Sequence, residues 1–332
     1  MIEPHLPPPD KAEPPEPGAP LELEYHLLQR GARPGIWRPI VGVLLLAAWL
    51  VVFASVVLAV PFLVYAVASG QDVSAYWTRL VDTDNPTPLS LGYLNVVLAS
   101  AIGMVFLISW LLHGMRPGLV TSVQPRMRWR FFSVCLGLAL LALIAAIVVS
   151  AMTPQEAADG AEITGKLNPW TSTTRDFALV ILFLTPFQAA GEEYLFRGYL
   201  TQAFGGLFGR RWVAVVVPAV LFALAHGLGQ SMPVFFDRLA FGLVAGVLVI
   251  LTGGLEAGIA MHVLNNFVAF GLALAFGDMA SALNPTEGSW WTIPSTLAQS
   301  LVYLGLAYAA ARAMGLRTTA GPSVLEAPPG RV

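Results

Sequence analysis

Residues 175–204 read RDFALVILFLTPFQAAGEEYLFRGYLTQAF. From Phe177 to Gly191 the run carries no charge, and then Glu192, Glu193 and Arg197 arrive within six positions. Thirty residues as one helix would extend about 45 Å, beyond a hydrocarbon core of about 30 Å. Such a segment must tilt, kink or project, and Pro186 offers the kink point. An ionisable side chain at mid-bilayer costs about 2.5–3.5 kcal/mol, so each one there needs a reason.

The rest of the 332 residues has the same character. Hydrophobic residues make up 56% and charged residues only 11%, against roughly 25% charged in a soluble domain. Mean hydropathy is +0.68. A chain this apolar cannot cover itself with a wetted surface, so its solvent is largely lipid. The formal charge of -2 comes with no basic patch, which excludes a nucleic-acid partner. Cys135 is the only cysteine, so no intrachain disulfide forms. Lys11 and Lys166 are the only lysines; with abundant Ala and Gly this composition suggests a bacterial genome.

Apolar runs occupy roughly 39–68, 88–113, 130–152, 176–204, 212–228, 234–252, 255–276 and 292–314. The expected fold is therefore all-α and polytopic, with about eight transmembrane helices enclosing an intramembrane site. Two runs, 212–228 and 234–252, are short for a span. Alternate loops collect the arginines: Arg30, Arg33 and Arg38; Arg116, Arg126, Arg128 and Arg130; Arg210 and Arg211; Arg312 and Arg317. The opposite set holds Arg79, Lys166, Arg175 and Arg238. This asymmetry predicts cytoplasmic N- and C-termini in a bacterial plasma membrane, with loops 69–87 and 153–174 outside. Residues 1–24, rich in Pro and Glu, read as disordered and lack the pattern of a signal peptide. Residues 25–38 read as a basic, Trp-containing approach to the membrane.

Three polar clusters interrupt the second half. In the first, Glu193 and Arg197 stand four apart in the favoured order for a helical ion pair. Glu192, about 100° around the helix, faces elsewhere. In the second, Phe222 and His226 share a face. In the third, His262 and Asn266 share a face, with Asn265 also in reach. Each cluster alone also fits a structural salt bridge, a packing histidine or an interhelical amide. Together they supply a water-activating carboxylate, a histidine to orient that water, and a His/Asn pair to donate to an oxyanion. His5, His26 and His113 receive no role.

The ordered trio E-E-x-x-x-R, F-x-x-x-H and H-x-x-x-N resembles the CPBP family, the CAAX protease and bacteriocin-processing intramembrane proteases. The motifs stand here as Glu192-Glu193-x-x-x-Arg197, Phe222-x-x-x-His226 and His262-x-x-x-Asn266. The resemblance implies an intramembrane endopeptidase acting on a membrane-associated or lipidated peptide or protein. It implies Glu192 and His226 as the pair activating water, and His262 and Asn266 as the oxyanion pair. Glu193, Arg197 and Phe222 would support them. No metal is favoured, although Glu192, His226 and His262 would make a zinc set with an open position. The chain lacks the H-E-x-x-H spacing that pre-sets such geometry.

The organisation expected is a disordered cytoplasmic tail over 1–35, three transmembrane helices over 36–174, and a CPBP-like core over 175–275. A last transmembrane helix over 276–316 and a tail over 317–332 complete it. A non-catalytic immunity or scaffold protein, and a proton-coupled transporter using Glu192 and His226, remain as alternatives. Simple depth counting places Glu192 and His226 toward opposite membrane faces, so their convergence requires broken or tilted helices.

Overall fold

The computed structural model describes residues 22–154, 166–227, 229–285 and 287–321. Helices account for all eight apolar runs. They are α1 (Trp37–Ala68), α2 (Pro88–Leu111), α3 (Trp129–Met152), the broken run α4 (Ser172–Phe183), α5 (Thr185–Glu193) and α6 (Thr201–Phe208), then α7 (Arg211–Ala225), α8 (Met232–Thr252), α9 (Glu256–Phe276) and α10 (Thr292–Ala313). Five of these, α1, α2, α3, α8 and α9, are long and apolar enough to cross a membrane.

The other three apolar runs depart for identifiable reasons. The run 176–204 is not one helix. It breaks at Leu184, where φ is −106° and ψ −34°, and restarts with Pro186 in the first turn of α5. Proline has no N–H to give to the turn before it, so a break just upstream is its natural place. Between α5 and α6 the backbone widens into a π-helix over Tyr194–Leu200. Helix α7 spans 15 residues and ends at Ala225, three short of the expected boundary. Helix α10 has the length of a span, but it carries polar residues turned toward its neighbours. Ser295 donates to the Ala146 carbonyl, Thr296 to Asp237, and Gln299 to Asn265.

Helix α9 lies at the centre, packed by α3, α5 and α8, while α10 covers α3 and α8. Outside, α1 and α3 present Val51, Val56, Ile144, Ile147 and other exposed apolar side chains, a surface suited to lipid.

The expected tail over residues 1–35 is corrected from residue 22 onward. Strand β1 (Leu23–Glu24) pairs antiparallel with β2 (Thr319–Ala320), joining the two ends of the described chain. A 3-10 helix over Tyr25–Gly31 follows, with Tyr25 and Leu28 fully buried in the main core. Tyr25 donates to the Val120 carbonyl. Two apolar side chains at i and i+3 suffice to dock this turn, and composition alone hides them. For the same reason the tail expected from residue 317 still folds through Ala320. The disorder expected over 1–21, the outer-loop residues 155–165 and the end 322–332 lie outside the described residues.

Candidate active site

The break at Leu184 places α5. The Asn95 amide of α2 donates to the Thr185 hydroxyl at 3.0 Å, both residues being buried. Immediately before the glutamates, Gly191 lets α5 meet the backbone of α2. A Cβ there would lie 2.3 Å from the Leu98 carbonyl oxygen, so only glycine permits this approach. On the opposite side, a Cβ at Gly258 of α9 would lie 2.7 Å from Glu193 Oε2. Glu193 is thus pressed directly against the backbone of the helix that carries His262.

The two carboxylates meet one imidazole from its two ends. Glu193 Oε1 lies 3.0 Å from His262 Nδ1, and Glu192 Oε2 lies 3.5 Å from His262 Nε2. The sequence reading turns the two carboxylates different ways round the helix, and the structure brings both to one ring, that of His262 on α9. A carboxylate only accepts, so Nδ1 carries the proton and donates to Glu193. Nε2 is then a bare acceptor in the neutral ring and a donor only in the doubly protonated one.

Arg197 Nη1 approaches Glu193 Oε1 at 3.0 Å, as the i,i+4 spacing predicts. The guanidinium is buried and lies over the Phe222 ring at 4.0 Å, with Phe241 at 5.3 Å. Phe222 therefore supports the site as a cation–π platform. Its ring also meets the imidazoles of His226 at 4.4 Å and His262 at 6.0 Å between centroids.

His226 caps the C-terminal end of α7, where its Nδ1 donates to the Phe222 carbonyl at 2.8 Å. A carbonyl only accepts, so Nε2 is left as an acceptor. His226 is exposed, whereas Glu192, Glu193, Arg197 and His262 are buried. It stands across Phe222 from His262, and the Glu192 carboxylate is near enough to act on its charge.

Asn266 is half-buried and donates to the side-chain oxygen of Gln188 at 2.9 Å. Gln188 in turn donates to Glu192 Oε1 at 2.7 Å. Sequence reasoning passed over Gln188. Its signal was present, since it is the polar side chain one helical turn before Glu192 in an otherwise apolar stretch. Asn265 turns away from the site and accepts from Gln299 of α10. Glu192 Oε2 and Glu193 Oε2 are buried without hydrogen-bond partners. Among the described residues no group of three His, Cys, Asp or Glu side chains is placed to hold a metal ion.

Residues 174–268 match the family model of the Rce1-like type II CAAX prenyl endopeptidases. The uncharacterized protein YyaK of Bacillus subtilis (strain 168) is 31% identical over 136 residues, which cover 38% of this chain and 46% of that protein. The chain thus spans less than half the length of this curated relative. No solved structure matches it. The matched segment contains Gln188, both glutamates, Arg197, Phe222, His226, His262 and Asn266. Residues 174–268 are thus similar to the Rce1-like, type II CAAX prenyl endopeptidases, within a chain that is a multi-pass membrane protein.

Proposed function

We propose that the chain hydrolyses a peptide bond of a membrane-associated or lipid-linked peptide, using water activated by Glu192. The observation that carries this reading is the free Oε2 of Glu192, buried and facing His262 Nε2 at 3.5 Å. A buried carboxylate oxygen without a partner is costly to maintain and suits a proton acceptor. Water donates its proton to Glu192 Oε2, and the hydroxide adds to the scissile carbonyl carbon. The oxyanion accepts from Asn266 Nδ2–H, beside the ring of His262. As the C–N bond breaks, Glu192 returns the proton to the leaving amine. His226, with Nε2 as acceptor at the open edge, orients the water. Glu193 and Arg197 fix the ring of His262.

The family description makes a prenylated C-terminal peptide the first substrate to test, with leader peptides and membrane-protein fragments beside it. The test is cleavage of quenched peptides by purified protein in detergent, wild type against Glu192→Gln. Equal cleavage by both removes the reading, and a protein that cleaves nothing points to the scaffold or transporter alternatives.

The arginine-bearing loops and both termini are proposed to face the cytoplasm of a bacterial cell. In a Cys135→Ala background, Leu167→Cys is expected to label from outside with an impermeant thiol reagent and Arg126→Cys only after lysis. Equal labelling from outside overturns this orientation.

A further inference from the structure

We propose that Gln188 is a positioning residue that sets which oxygen of Glu192 acts as the base and holds Asn266 in register with it. The proposal rests on the glutamate-base reading above. Its foundation is a chain of three side chains whose polarity is fixed at one end. Glu192 as a carboxylate can only accept, so Gln188 presents its Nε2 there, at 2.7 Å. The Gln188 oxygen is then the atom left for α9, and Asn266 meets it with Nδ2 at 2.9 Å. Both amide orientations follow from the charge at Glu192 and need no separate choice.

Two consequences follow for the reaction. First, Oε1 of Glu192 is committed to Gln188, while Oε2 has no hydrogen-bond partner and faces His262. The proton from water therefore arrives at Oε2, and Oε1 remains an acceptor for Gln188 before and after the transfer. Second, one N–H of Asn266 is spent on Gln188, which orients the amide and leaves its other N–H for the oxyanion. The base on α5 and the oxyanion donor on α9 are thereby tied through one side chain.

Gln188 is itself well held. It is buried, it lies one turn from Glu192, and its helix is pinned by Asn95 on Thr185 and by the Gly191 contact with α2. A positioning group on a rigid element gives the precision that a reacting geometry needs.

The experiment measures kcat, KM and melting temperature in one detergent, on a quenched peptide farnesylated at a cysteine four residues from its C-terminus and on the same peptide without lipid. Gln188→Met keeps the shape and removes both hydrogen bonds. Its kcat is expected to fall on the order of 10²-fold, as for a misplaced reacting group, with KM and melting little changed. Gln188→Glu keeps an acceptor for Asn266 but offers no donor to Glu192, and its kcat is expected to fall as well. Added to Asn266→Ala, Gln188→Met is expected to cost less than it does alone, because the two act through one chain. An unchanged kcat in Gln188→Met, a loss confined to KM, a loss that tracks a fall in melting temperature, or strict additivity with Asn266→Ala overturns the proposal. If Glu192→Gln is inactive while Gln188→Met is fully active, the positioning role alone falls. If Glu192→Gln cleaves at the wild-type rate, or the wild type cleaves neither peptide, the glutamate-base reading falls and takes the proposal with it.

Discussion

Among the described residues two arginine–glutamate pairs are buried, and they are built differently. Arg128, just before α3, meets Glu256 at the start of α9 in a two-pronged contact. Nε donates to Oε1 at 2.8 Å and Nη2 to Oε2 at 2.6 Å. The Arg128 backbone N–H adds a third bond to Glu256, and Nη1 takes the Thr252 carbonyl. Arg197 and Glu193 sit one helical turn apart, in contact at 3.0 Å but misaligned. Arg197 Nε, Nη1 and Nη2 and Glu193 Oε2 make no hydrogen bond. The first pair is saturated and joins helices 128 residues apart. The second is under-satisfied, rests on aromatic rings, and shares its carboxylate with His262. A saturated buried pair fixes architecture. A pair left short of partners calls for another explanation, which the proposed reaction supplies.

The contrast separates rate from stability. At the reactive end, Glu192→Gln keeps size and polarity and is expected to lower cleavage by about 10²–10⁴-fold with unchanged melting. A variant that melts early instead would make Glu192 an architectural residue. At the other pair, Arg128→Ala strands Glu256 in a dry environment. It is expected to cost about 3–5 kcal/mol of stability, read as a lower melting temperature, while the surviving folded protein cleaves at the normal rate. Arg128→Met combined with Glu256→Leu removes both charges and is expected to regain most of that loss.

Glu193→Gln probes the mixed case. It weakens the hold on both Arg197 and His262, so rate and stability are expected to fall together, the latter by about 1–3 kcal/mol. Full activity in Glu193→Gln would cut His262 loose from its assigned support. The smallest effect belongs to an exposed pair, Glu24 with Arg211. The hydrogen bond from the Arg211 guanidinium holds the Glu24 carboxyl below its ordinary value of 4.5. A depressed carboxylate adds stability above that value and loses it as pH falls through the folded one. Arg211→Ala is therefore expected to cost under about 1 kcal/mol near neutral pH, and nothing once the solution is acidic enough to protonate Glu24 in both states. Melting curves at pH 7 and pH 3 check the sign.

Which parts were legible depended on range. The eight apolar runs and the Glu193–Arg197 pair are local patterns; the runs are helical, with breaks in 176–204 and an early end in 212–228, and the pair is in contact. The convergence of Glu192, His262 and Asn266 was readable because polar groups in lipid must find one another. Arg128 with Glu256 was invisible, since nothing near Arg128 announces a partner 128 positions away; it was counted only as a loop cation. The π-helix at Tyr194–Leu200 left no mark, because an expanded turn needs no special residue. The docking of Tyr25 and Leu28 was hidden by the Pro- and Glu-rich composition before them. Gln188 was legible and passed over: its i,i+4 relation to Glu192 is the same signal that disclosed Arg197.

Strand β1 cannot form until β2 exists. Leu23 emerges from the ribosome early, and its partner Ala320 follows 297 residues later. At roughly 5–20 residues per second, that interval is on the order of 15–60 seconds. Throughout it the eight helical runs enter the bilayer while the first segment waits without its mate. Closure of this small ribbon thus follows the synthesis of every helical run. A chain cut before Thr319 would insert its helices and still dock Tyr25 and Leu28, yet leave Leu23 and Glu24 without their strand partner.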